Sequence, residues 1–186
     1  VVIHLVGRQC TVETMATIRE LSDVELERIP EMDVSEEGAS VYVQRGASLE
    51  LVRRAHRRPP RSVDEWRPEV LRWQGFVRDG GRAFGAFDGE WLVGVAVLRD
   101  RLTDDTAQLA GLYVDRDRRR RGVASALLDA VATTARGGGA SVLYVSAVPS
   151  DSAVGFYLSR GFEPTASPHP DLFELEPEDV HMLLRL

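Results

Sequence analysis

Between residues 83 and 148 the chain alternates apolar runs with turn residues so regularly that few folds accommodate it. Ala83–Phe87 and Trp91–Leu98 are joined through Asp88-Gly89, a pair suited to the left-handed backbone of a tight β-hairpin. Ala107–Val114 reads as a third strand. Gly122–Ala135 then carries Val123, Leu127, Leu128 and Val131 at helical spacing, and Gly137-Gly138-Gly139 stops it. Val142–Val148 is an unbroken apolar run, the pattern of a strand covered on both faces.

The flanks are less regular. Thr17–Leu21 reads as a strand, and Ser22 with Glu25 forms a capping box for a short helix that Pro30 ends. Ser40–Val52 reads as a hairpin turning at Arg45-Gly46. A helix is predicted over Pro68–Arg78, with Pro68 in its first turn and Val70, Trp73 and Val77 on one face. Ser152–Ser159 is a short helix closing at Gly161, and Val180–Leu186 a last strand. Residues 1–14 have no clear pattern and read as an extension upstream of a start at Met15. Residues 15–186 read as a single domain, without internal repeat or linker.

Composition excludes several chemistries. All 23 basic residues are arginine; lysine and asparagine are absent. Schiff-base chemistry, a P-loop lysine and an N-glycosylation acceptor are therefore ruled out. A GC-rich bacterial genome explains this bias without adaptation. The net charge of −6 argues against a general nucleic-acid binder. Cys10, the only cysteine, cannot form an intramolecular disulfide, which suits a reducing, cytoplasmic setting. No apolar run approaches a membrane span. The four histidines are dispersed without metal-ligand spacing, so no metal is expected.

The chemistry concentrates in Leu112-Tyr113-Val114-Asp115-Arg116-Asp117-Arg118-Arg119-Arg120-Arg121-Gly122-Val123-Ala124-Ser125. A strand delivers the chain to a basic loop, and the loop enters a helix. The first N–H groups of a helix lack intrahelical partners and form an anion site with the dipole. Gly122 and Ala124 let a phosphate approach the backbone, and neighbouring arginines supply charge-assisted contacts. Arg119-x-x-Gly122-x-Ala124, after a strand and before a helix, resembles the pyrophosphate-binding signature of the GNAT superfamily of N-acetyltransferases. Pro149-Ser150-Asp151-Ser152-Ala153-Val154-Gly155-Phe156-Tyr157, ending at Gly161-Phe162, is similar to the second half of that family's coenzyme A site. The resemblance spans roughly residues 83–163. The tail from Pro170 to His181 also resembles a bacterial subgroup of that family.

The resemblance implies an α/β (α+β) fold: a mixed, mostly antiparallel sheet, flanked by helices and splayed at the cofactor cleft between the strands ending at Val114 and Val148. It implies acetyl-CoA as acyl donor. Pantetheine would pair with the backbone of Leu112 and Val114, beside Tyr113. Pyrophosphate would sit on the N–H groups of Arg119, Arg120, Arg121, Gly122, Val123, Ala124 and Ser125. Tyr157 would be the general acid for the departing thiolate; phenol and thiol differ by about 1.5 pKa units in water. The family commonly has an asparagine before the Phe-Tyr pair; here Ser152, or water, would take its hydrogen bond.

The general base stays open. Gln108 is the only polar residue inside the strand before the loop, where members often carry glutamate. Asp104 and Asp105 precede that strand, and Glu174, Glu176 and His181 lie near the presumed acceptor end. Arg53–Arg61 holds five arginines and His56 without an acid and reads as a solvated loop, with an acidic partner as the alternative. Glu163–Asp179 holds six acids and no arginine, suited either to solvent or to a cationic amine. The expected activity is direct acetyl transfer to a primary amine, of a small molecule or a protein N-terminus. The rival is a non-catalytic acyl-CoA sensor. A homodimer is an open alternative.

Overall fold

The computed structural model describes residues 16–186. The extension expected over 1–14 lies outside the described residues.

Seven strands form one sheet in the order β1-β4-β5-β6-β7-β9-β8. They are β1 (Thr17–Leu21), β4 (Arg82–Asp88), β5 (Trp91–Arg99), β6 (Thr106–Val114), β7 (Val142–Ala147), β8 (Glu163–Pro164) and β9 (Val180–Arg185). Every neighbouring pair is antiparallel except β6 and β7. That parallel pair needs a crossover, supplied by helix α2 (Val123–Gly137). The expected mixed, mostly antiparallel sheet is what forms.

β5 explains why both faces must be covered. Val95 and Val97 join one apolar cluster, Ala96 and Leu98 the other. On one face pack α2 and α3 (Asp151–Ser159), through Leu127, Leu128, Val131, Val154 and Tyr157. On the other pack α1 (Val63–Arg78) and the 3₁₀ turns of Val24–Glu31, through Trp66, Val70, Trp73, Leu26 and Ile29. Gly94 lets α2 sit close on the sheet, since a Cβ there would lie 2.9 Å from Val123 Cγ1.

Three sequence expectations shift. α1 begins at Val63, five residues before Pro68. A complete capping box of Ser62 with Glu65 starts it, and Trp66, 0% exposed, anchors it. Those gains outweigh the one hydrogen bond that Pro68 forfeits inside the helix. The hairpin is longer than Ser40–Val52: β2 (Glu36–Arg45) pairs with β3 (Ser48–Arg58). Arg53, Arg54, Arg57 and Arg58 are thus strand residues, not a solvated loop. A short helix α4 (Pro170–Leu175) precedes β9 within the acidic stretch.

The hairpin lies outside the main sheet but is tied to it. Tyr42 N–H donates to Pro149 O at 2.7 Å, and Gln44 Nε2 donates to Thr165 O at 2.8 Å. Among the described residues no helix is long and apolar enough to cross a membrane.

Candidate active site

β6 and β7 pair only over three positions, Thr106 with Val142, Ala107 with Leu143 and Gln108 with Tyr144. Beyond that fork β7 stays with β9 while β6 stays with β5, and the sheet opens. Just past it β6 bulges: Val97 pairs with Gly111 and Leu98 with Leu109, leaving Ala110 as the extra residue. The opening is a cleft of about 770 Å³, within the usual range for a small-molecule site.

The register fixes which backbone groups face it. Asp115 N–H donates to Val93 O at 2.9 Å, so Tyr113, two residues earlier, also points its amide groups toward β5. Leu112 and Val114, of opposite parity, turn theirs toward the cleft. Gly111 has no room for a side chain; its Cβ would lie 2.6 Å from Trp73 Cζ2. Trp73 therefore closes onto β6 and forms one wall with Tyr113, their ring centroids 5.9 Å apart.

The loop after β6 is shaped by left-handed backbone at Arg120 (φ 62°) and Gly122 (φ 80°). The second is what glycine allows at little cost; the first is strained. Gly122 is the N-cap of α2 and supplies no side-chain cap, so the first N–H groups of the helix lack a capping side chain. Nothing lies within 4 Å of a Cβ built at Gly122, so its role is conformation and open approach.

Leu112, Tyr113, Val114, Arg119, Arg120, Gly122, Val123, Ala124, Ser125, Ser152 and Tyr157 all line this one cleft. Arg121 is exposed and is not part of the lining. The arginine run divides its labour. Arg118 pairs with Asp88 at 2.9 Å, and Arg119 turns inward, donating from Nη2 to Val34 O at 2.9 Å and from Nε to Val114 O at 3.4 Å. Among the described residues Arg120 and Arg121 make no ion pair. Ser150, not Ser152, caps α3, accepting from Ala153 N–H at 3.3 Å. Ser152 Oγ donates to Glu36, which also pairs with Arg58 at 3.1 Å.

Tyr157 is 6% exposed. Burial drives its phenol far above the ordinary value, with the Tyr113 and Asp179 charges adding to the rise. That widens the gap to a free thiol where modest tuning would have narrowed it; the phenol stays protonated throughout the physiological range. Tyr113 is likewise pushed up to about 12, mainly by burial.

The acceptor end was only partly visible in sequence. Glu176 and Asp179 from the acidic stretch line the cleft, as does Gln108. Glu69 and Arg72, on the helix that also carries Trp73, complete this end without any motif to announce them. Burial raises the Glu176 carboxyl, and burial with the Glu176 charge raises Asp179 to about 6. Glu174 is exposed. Asp104 and Asp105 are exposed at the opposite end of β6, and hydrogen bonds from Thr106 and Thr103 lower the Asp105 pKa, making it a poor base. His181 is 2% exposed and occupied at both nitrogens. Nε2 lies 3.2 Å from Glu176 O and so carries the hydrogen, leaving Nδ1 to accept from Tyr144 Oη at 2.7 Å. It positions the Glu176 backbone.

The profile of the acetyltransferase (GNAT) family matches residues 49–162. The chain belongs to this family. It is accordingly an acyltransferase. Its fold is similar to a Bacillus anthracis str. Ames protein assigned as a streptothricin acetyltransferase and solved with acetyl coenzyme A (18% identity, TM-score 0.72, 93% of this chain and 99% of that one). It is also similar to the PaiA N-acetyltransferase of Thermoplasma acidophilum, solved with coenzyme A (16%, 0.63, 93% and 100%). A third likeness is the ribosomal-protein-S18-alanine N-acetyltransferase of Escherichia coli (20%, 0.60, 92% and 94%). No curated protein matched the chain by sequence.

Proposed function

We propose that the chain transfers an acetyl group from acetyl-CoA to a primary amine by direct attack. The observation that carries this reading is the fork beyond Gln108 and Tyr144, where outward-facing backbone of Leu112 and Val114 borders the start of α2. An amide-bearing pantetheine arm can pair there as an added strand would. The N–H groups from Arg120 to Ser125 then meet the pyrophosphate, with the Arg120 and Arg121 side chains supplying charge. Arg119 contributes by fixing the loop. Ser152, which also lines the cleft, donates its hydroxyl hydrogen to Glu36 and so meets the ligand as an acceptor.

Bound acetyl-CoA supplies an activated thioester carbonyl. A backbone N–H of Leu112–Val114 stabilises the developing oxyanion, and Tyr157 protonates the departing thiolate. Related folds include enzymes named for a small-molecule antibiotic and for a ribosomal protein's alanine, so both kinds of acceptor suit this architecture. Cys10 as the only thiol agrees with direct transfer in a reducing cytoplasm.

Incubation with acetyl-CoA and a panel of amines, with released coenzyme A read by a thiol reagent, tests this reading. Amine-dependent release is expected. Tight acetyl-CoA binding with no release across the panel would overturn it in favour of a sensor.

A further inference from the structure

We infer that Glu176, Asp179 and the side-chain oxygen of Gln108 form the seat of the acceptor's ammonium group, that the acceptor is a small cationic amine, and that Asp179 takes the proton this ammonium must lose. The inference rests on the acetyl-transfer reading and narrows it.

Gln108 gives the first argument. It is 6% exposed, stands at the fork and lines the cleft, and its Oε1 has no hydrogen-bond partner. A buried amide oxygen left bare is destabilising, so a ligand donor is the natural complement. An ammonium brings three donors and no acceptor, which matches one amide oxygen and two carboxylates.

Register gives the second. Gln108 pairs with Tyr144, and His181 with Ser146, so Gln108, Tyr144, Ser146 and His181 share one face of the opened sheet. His181 holds the Glu176 carbonyl on that face, with the Ser146 hydroxyl 3.3 Å from His181 Nδ1. Asp179 immediately precedes Val180, which pairs with Ala147 at the far end of β7. Both carboxylates thus lie on the segment leading into β9, beyond the fork that Gln108 marks, and both line the cleft.

Charge gives the third. Glu69 is matched by Arg61 at 2.6 Å, and Glu36 by Arg58 at 3.1 Å. The ionisable groups left at this end are Glu176 and Asp179 against Arg72, one negative charge in excess. A monocation restores neutrality in a half-buried space, where an unbalanced charge is costly.

Proton flow then closes. Asp179 feels the charges of Glu176 on its own loop and Arg58 of β3 and acts on Tyr157 of α3, and it shares the cleft lining with Glu69 and Arg72 of α1. Its carboxylate accepts one proton from R–NH₃⁺ and passes it to solvent. The freed lone pair forms the C–N bond as the C–S bond breaks. The thiolate takes a proton from Tyr157, and the phenolate regains one from the acylated nitrogen. The net products are the amide, the free thiol and one proton. Low polarity favours the neutral forms of both amine and carboxyl, so the two pKa values approach each other at this site.

The test uses propylamine, 1,4-diaminobutane and β-alanine with wild type, Asp179→Asn, Glu176→Gln and Gln108→Leu, each shown folded by thermal melting. Propylamine and 1,4-diaminobutane should be acetylated and β-alanine, with its added carboxylate, poorly. Asp179→Asn should lower kcat/KM by about tenfold or more and abolish an acid limb near pH 6. Glu176→Gln and Gln108→Leu should raise the amine KM while the acetyl-CoA KM stays fixed. Calorimetric binding of the same amines to the coenzyme A complex reads the seat without turnover. Binding without turnover would refute acetyl transfer yet keep the seat. Turnover with an unmoved acid limb in Asp179→Asn, unmoved amine KM in the other variants, preference for β-alanine, or no amine binding would each overturn the inference.

Discussion

The guanidinium of Arg119 donates to the carbonyl of Val34 across 85 residues of chain, at 2.9 Å. The second arginine of a run that reads as phosphate-gripping therefore serves as a strut, holding the segment before β2 against the end of β6. Arg119→Ala is expected to destabilise the fold by about 1–3 kcal/mol, because a charged donor to buried carbonyls is lost. Thermal melting should show a drop of several degrees. Arg120→Ala should leave the melt unchanged and instead weaken acetyl-CoA binding, with a shallower salt dependence than wild type. The opposite assignment of the two effects would show that Arg119 faces the ligand.

Gly111 and Trp73 make a second such contact. Any Cβ at Gly111 meets the indole at 2.6 Å, and the other side is backbone of a paired strand. Gly111→Ala should cost about 1–3 kcal/mol as an overpacking change. It should also lower activity more than the stability loss explains, since displacing Trp73 moves the cleft wall. Melting and steady-state kinetics on the same preparation check both.

These two contacts mark where sequence reading stops. β4, β5, β6, α2 and β7 were legible because period and turn residues agree there, and the Gly122 and Tyr157 motifs stand at their ends. α1 was cut short by Pro68, whose local penalty is overridden by the Ser62–Glu65 cap and the burial of Trp66. β3 was hidden because Arg53–Arg58 pairs only with β2 and presents mostly charge to solvent. α4 has six residues and buries only Leu172, too little for a periodic signal. At the site, the acidic stretch was visible as composition, but which acids turn inward depends on how the α4–β9 segment is held by His181. Glu69, Arg72 and Trp73 enter through packing between elements far apart in sequence.

Gly122 adopts φ 80° with empty space around it. Gly122→Ala thus adds no clash and only the strain of a left-handed residue, about 1–2 kcal/mol. Relaxation toward ordinary helical backbone would relieve that strain by turning the first N–H groups of α2 away from the phosphate. The dissociation constant for acetyl-CoA should rise on the order of tenfold, from the same 1–2 kcal/mol, while kcat at saturation changes little. Calorimetry and kinetics at high acetyl-CoA separate the two.

Asp179 links function to stability. Its folded pKa of about 6 lies above the ordinary 3.8, chiefly through burial. The native state therefore binds this proton more tightly than the unfolded chain, and the site gains stability as pH falls from about 7 toward 4. At pH 8 the buried charge is destabilising. Asp179→Asn should raise Tm at pH 8, and its advantage over wild type should shrink on acidification through pH 6. Scanning calorimetry of both proteins at several pH values measures this difference, which includes relief of the repulsion between Asp179 and Glu176.

Tyr157 carries the sharpest prediction. Its ring packs edge-on against Phe156 and Phe162, with centroids 5.3 and 5.2 Å away, so the phenylalanine variant keeps the packing and removes one hydroxyl. The raised pKa means the hydroxyl acts as a neutral donor and never as a phenolate at rest. Tyr157→Phe should accordingly lower kcat by about 10²-fold and spare acetyl-CoA binding, and neither protein should show a phenol ionisation on the alkaline side of its pH profile. An acyl donor with a better leaving group, such as a thiophenyl ester, should recover much of the loss, because its thiolate departs without a proton. Equal turnover by wild type and variant, with bond breaking shown to limit the rate, would remove Tyr157 from the chemistry.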